Sequence, residues 1–153
     1  MKYITEFLQN RCLLSVGISW ILAKFIKLLT GYFREEKFSL RKFFSGTGGM
    51  PSSHSATVVS LLMSSIIVYG VGGYETAASM LLAIIVMSDA MGVRYETGKQ
   101  AKVINKLVEE LFSGKAKNPH ENLKELIGHT PFQVFMGAFL GLVVALVVCN
   151  VMA

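Results

Sequence analysis

Residues 49 to 56 read Gly49-Met50-Pro51-Ser52-Ser53-His54-Ser55-Ala56, directly ahead of an uncharged run that extends to Tyr74. A proline, two hydroxyls and an imidazole thus fall in the first turn of an expected helix. The N–H groups and positive macrodipole at such a start favour an anion. Imidazole exchanges protons near neutral pH, so the cluster suits an anion that gains or loses a proton. The same residues also make a plain N-cap with His54 at an interface. The tetrapeptide alone does not separate these readings.

The elements that must position these residues are membrane-spanning helices. The chain has 153 residues, of which 52% are hydrophobic and 16% charged, against roughly 25% charged in soluble domains. Its apolar residues come in blocks: 12–33, broken by Lys24 and Lys27; 54–74; 76–94, broken by Asp89 and closed by Arg94; and 129–153. A bilayer core takes about 20 apolar residues per helix. The expected fold is therefore all-α, a four-helix transmembrane bundle forming one membrane-embedded domain over residues 1–153.

Alternating spans bring four helix ends to one side whatever the orientation. Lys24, Lys27 and Arg34, then His54, then Asp89 and Arg94, then His129 all collect there, and the other side holds the Gly70–Glu75 turn and the termini. Eleven of the fifteen Lys and Arg lie in the two loops of the equipped side. The positive-inside rule places that side in the cytoplasm. Asp89, inside an apolar span, is either a functional carboxylate or a structural partner for Lys24 or Lys27.

Between residues 95 and 113, Val103, Ile104, Leu107, Val108 and Leu111 recur at helical spacing among Lys and Glu. An amphipathic helix is expected there, lying on the membrane or covering the site. The N-terminal residues before Cys12 lack the pattern of a cleaved signal and are expected to form a short interfacial helix. Cys12 and Cys149 are expected as buried apolar thiols. Gly137-x3-Gly141, and Ala56, Ser60 and Ser64, make small-residue stripes for close helix contact, within the chain or in a homodimer, with the dimer favoured.

Taken together, Lys27-x6-Arg34, Pro51-Ser52-Ser53-His54, Arg94 and Gly128-His129 resemble the signature of the type 2 phosphatidic acid phosphatase and vanadium haloperoxidase superfamily. The fuller likeness is to its short, divergent branch. It rests on residues 48–56 (GGMPSSHSA), 86–94 (VMSDAMGVR), 98–101 (GKQA) with Asn105, and 128–134 (GHTPFQV).

The resemblance implies phosphoryl transfer through a phosphohistidine, with His129 the nucleophile and His54 the acid that protonates the leaving oxygen. It makes Lys27, Arg34 and Arg94 the cations around the phosphate, with Arg41 a rival to Arg34 because Glu35 stands where the signature has proline. The Ser52 hydroxyl and the Ser53 backbone N–H add donors, and no metal or cofactor is implied. Gln133 stands where the signature has an aspartate, so it or Asp89 would orient the histidine. The implied activity removes the phosphate or pyrophosphate group of a membrane lipid, with no nucleic-acid partner, at the bacterial plasma membrane. Two other readings use the same pocket: a non-catalytic binder or carrier of anionic headgroups, and vanadate-dependent halide oxidation, which does not fit a cytoplasmic membrane site.

Overall fold

The computed structural model describes residues 2–32, 50–112 and 129–153. Six helices form in the order α1 (Lys2–Gln9), α2 (Arg11–Tyr32), α3 (Ser53–Tyr69), α4 (Tyr74–Met91), α5 (Val93–Phe112) and α6 (Pro131–Val151). All regular structure among the described residues is helical. Arg34 and Arg41 lie outside the described residues, as do the side chain of Arg94 and residues 113–128 after α5.

Three stretches are long and apolar enough to cross a membrane: Arg11–Thr30, Tyr74–Val108 and Pro131–Val151. The four-span expectation meets a difference at α3, which has 17 residues rather than the expected 54–74. At 1.5 Å per residue it measures about 26 Å, short of the ~30 Å hydrocarbon thickness. Its early end is local. Gly70 takes a positive φ of 81° and its N–H bonds Ile66 O, after which Thr76 Oγ1 donates to Gly70 O at 2.8 Å and starts α4.

Though shortest, α3 is central and packs on α2, α4 and α6. Its inward residues are small: Ser53, Ser55, Ala56, Val58, Ser60, Ser64 and Ser65 are buried. Small side chains let helices approach where no water drives them together. The α2 contact is stitched by Ser19 Oγ, which reaches Ser60 Oγ at 3.1 Å and Ala56 O at 3.3 Å. Larger apolar side chains point outward; Ile21, Phe25, Leu81, Ile84, Ile85, Phe135 and Phe139 are all exposed. That inside-out pattern suits a lipid solvent.

The closest approach is between α3 and α6. A Cβ on Gly137 would strike Ser52 O, and one on Gly141 would strike Ala56 O. Both pairs advance by four residues in the same direction, so α3 and α6 run parallel. The glycine stripe is thus occupied within the chain. Cys12 and Cys149 are buried free thiols at the other end of the bundle.

Two helices are peripheral. α1 places Tyr3, Ile4, Phe7 and Leu8 on one face and buries none of them. α5 follows α4 across Gly92 and, among the described residues, packs chiefly on α4, with Val103, Ile104 and Leu107 exposed.

The glycine contact makes a sharp test. Gly141→Ala should lower unfolding stability in detergent by about 1–3 kcal/mol, the usual cost of overpacking. Gly17→Ala, where a Cβ meets nothing within 4 Å, should be neutral or stabilising by up to about 1 kcal/mol. Equal thermal denaturation of the two variants would contradict the close approach.

Candidate functional site

Four helix ends meet on one side of the bundle, each joined to the next by a hydrogen bond. Thr30 Oγ1, near the end of α2, lies 3.0 Å from Lys27 O and 3.2 Å from Met50 O. Ser52 N–H, at the start of α3, donates to Gln133 O in the first turn of α6 at 3.1 Å. His129 N–H donates to Ala90 O near the end of α4 at 3.2 Å. Lys27, Ser52, Ala90 and His129 are therefore held on one platform.

Because α3 and α6 are parallel neighbours, two positive helix ends stand side by side on this platform. Like dipole ends repel, and an anion placed across both would relieve that repulsion. The α3 end is built from Ser52, whose φ of −68° and ψ of 114° take it out of the helix. Its Oγ accepts from Ser55 N at 3.3 Å and pairs with Ser55 Oγ at 3.0 Å. Pro51, Ser52 and Ser53 are buried, whereas His54 in the same turn is exposed. His54 has a partner of its own within the structure.

The α6 end is a reciprocal capping box. Thr130 Oγ1 accepts from Gln133 N at 3.4 Å, and Gln133 Oε1 accepts from Thr130 N at 3.1 Å. The same oxygen lies 3.2 Å from Nδ1 of His129, whose side chain is buried. This geometry decides the tautomer. A backbone N–H only donates, so the Gln133 atom facing Thr130 is the oxygen. An amide oxygen only accepts, so His129 Nδ1 carries the hydrogen, and the lone pair of the neutral ring falls on Nε2.

Gln133 thus touches the His129 ring from the position where the resemblance has an aspartate, without a negative charge. Asp89 is half-buried and is neighbour in sequence to Ala90, whose carbonyl holds the His129 backbone. Among the described residues no ion pair joins Asp89 to Lys24 or Lys27; Asp89 makes its interaction elsewhere. No group of three His, Cys, Asp or Glu among the described residues is disposed to hold a metal ion.

Three participants escaped the sequence reading. Thr130 closes the box with Gln133, and its Thr-x-x-Gln spacing is a legible capping signal. Ser55 supports the Ser52 hydroxyl from the next turn, again at a cap spacing. The Ala90 carbonyl left no signal, since any residue supplies one.

A family model described as "Divergent PAP2 family" matches residues 8–144. The chain is 39% identical over 152 residues to a protein named "Uncharacterized membrane protein YuiD" from Bacillus subtilis (strain 168), covering 93% of this chain and 96% of that one. No solved structure matches the chain.

Removing the shared acceptor has two expected results. Gln133→Ala should cost about 1 kcal/mol of stability through the lost cap. Nitrogen-15 spectra of the His129 ring should show hydrogen on Nδ1 in the parent and a tautomer mixture in Gln133→Ala. An Nε2-protonated parent ring would refute the assignment.

Proposed function

We propose that this chain, which belongs to the divergent PAP2 family, is a metal-independent lipid phosphate phosphatase that works through a phosphohistidine. What supports this reading above all is the Thr130–Gln133–His129 arrangement, which puts hydrogen on Nδ1 and so leaves Nε2 as the lone-pair nitrogen whenever the ring is neutral, beside two parallel helix starts.

In the proposed reaction, His129 Nε2 attacks phosphorus and the bond from phosphorus to the lipid oxygen breaks. His54 gives its proton to that oxygen, and the lipid alcohol leaves. Water then attacks the phosphohistidine while His54 takes back a proton, releasing inorganic phosphate and restoring the neutral His129 ring. Lys27, Arg94 and either Arg34 or Arg41 would neutralise the equatorial oxygens, with Ser52 O–H and Ser53 N–H as further donors. Such pre-oriented donors act strongly where water is scarce.

The substrate class follows from the setting. Apolar helices surround the platform, and a lipid would present its phosphate there while its tail remains in the bilayer. Candidates are phosphatidic acid, phosphatidylglycerophosphate and polyprenyl phosphates. The basic residues of the two loops support a platform on the cytoplasmic side.

A second reading is favoured by one observation, the neutral Gln133. A carboxylate would stabilise the imidazolium that forms as His129 reacts, whereas an amide only steers it. The protein would then bind or carry anionic headgroups without hydrolysing them.

Purified protein in detergent with a chelator should release inorganic phosphate from these lipids. His129→Ala and His54→Ala should each lower the rate by about 100-fold or more. Unaltered rates in both variants would exclude the mechanism. A parent that binds phosphorylated lipid inertly, with hydrolysis switched on by Gln133→Asp, would establish the binder instead. For orientation, a cysteine replacing exposed Lys106 should react with an impermeant maleimide only from the cytoplasmic side; labelling from outside would reverse the assignment.

A further inference from the structure

Beyond Arg94 at its start, α5 has no part in the proposed reaction, and its residues fall into three sets. Gly98 is buried, and Ala101, Asn105 and Val108 are half-buried. Val103, Ile104 and Leu107 are 59%, 45% and 52% exposed. Lys99, Lys102 and Lys106 are exposed as well. At about 3.6 residues per turn the three sets occupy three separate sectors of the helix. The first sector is the one that meets the rest of the protein, so the apolar stripe points away from it. A third sector, the lysines, lies between them on the remaining flank.

The start of α5 fixes its level. Ala90, two residues before Gly92, accepts the backbone N–H of His129 on the platform. Gly92 has a φ of −98° and a ψ of −89°, which depart from helical values and bend the axis there. α5 therefore leaves the line of α4 at the end of a span, where the hydrocarbon gives way to headgroups. A cover over the platform would pack on α2, α3 and α6, whose ends build it. Among the described residues α5 packs chiefly on α4 and makes no comparable contact with those three. The charge pattern suits a surface instead. Residues 97–108 carry Lys99, Lys102 and Lys106 and no carboxylate. Glu96 pairs with Lys99 at 2.9 Å, which leaves Lys102 and Lys106 as the main positive charges of the stripe.

We infer that α5 is a membrane-surface helix that docks on an anionic lipid leaflet. Val103, Ile104 and Leu107 enter the boundary between headgroups and chains, which gives the exposed apolar stripe the solvent it matches. The lysines stand about a third of a turn round the helix from that stripe. Their stems can lie along apolar surface while the ammonium groups stay at headgroup depth, among lipid phosphates. The inference needs the membrane reading of the bundle and is independent of the proposed hydrolysis.

The experiment uses the full chain in nanodiscs at one copy per disc. Leu107→Cys, Val103→Cys and Lys102→Cys are each labelled with bimane, and the parent, whose two thiols are buried, serves as the blank. Phosphatidylcholine brominated near the top of its chains quenches a label that enters the bilayer. Quenching at Leu107→Cys and Val103→Cys should exceed that at Lys102→Cys at least threefold. Replacing part of the neutral lipid by phosphatidylglycerol should raise quenching at Leu107→Cys about twofold. That rise should vanish when Lys99→Gln, Lys102→Gln and Lys106→Gln are combined. Equal quenching at the apolar and lysine positions would overturn the docking. So would efficient crosslinking of Leu107→Cys to His54→Cys, the result for a cover, or shielding of the label only in discs that hold two copies, the result for a protein partner. Quenching that ignores phosphatidylglycerol, or a rise that survives the three glutamines, would overturn the choice of an anionic leaflet.

Discussion

The parallel contact between α3 and α6 is the constraint on which the rest of the structure depends. Gly137 and Gly141 leave no Cβ between the helices, so the α6 backbone rests against the carbonyls of Ser52 and Ala56. Two consequences follow. The cap of α3 comes within hydrogen-bonding reach of Gln133, and two helix dipoles end at the same level. Antiparallel neighbours would cancel their dipoles; parallel ones add them. The positive field is therefore local to the two helix starts, and the C-terminal ends of α2 and α4 on the same side offset it beyond them.

A second economy lies in Gln133. One side-chain oxygen caps α6 through Thr130 and fixes the ring of His129. An aspartate at this position would carry charge to the imidazole but has a shorter side chain, so the same reach back to Thr130 N–H is not assured by chemistry alone. The glutamine couples the start of the helix to the tautomer of the ring, and helix stability becomes part of site geometry. That coupling explains how a chain without the usual carboxylate still presents Nε2 as the basic nitrogen.

Five of the seven residues that the central helix buries are serines. Serines line α3 where it meets α2 and α6, and their hydroxyls find acceptors within the bundle, as Ser64 Oγ does with Ser60 O at 2.8 Å. In lipid, apolar side chains gain little by turning inward, so close backbone approach and hydroxyl bonds take over the task of specifying neighbours. The long outward side chains of α2, α4 and α6 then meet the bilayer.

Much of this was legible in the residues themselves. Blocks of apolar sequence located α2, α4 and α6, and the three- and four-residue spacing of Val103, Ile104, Leu107 and Val108 located α5. Alternating spans alone required Lys27, His54, Asp89 and His129 to share a side, because a helix crossing a bilayer must return from the far face. The halt of α3 at Gly70 was harder to read, since apolar content carries on past the residue whose positive φ ends the helix. Only the tertiary structure decided that Gly137 and Gly141 meet α3 rather than another chain, that Gln133 holds the His129 ring, and that Lys24 is shielded instead of reaching for the headgroups. Those outcomes depend on distances between segments far apart in sequence, and one-dimensional spacing carries no record of which face of a helix its neighbour will cover.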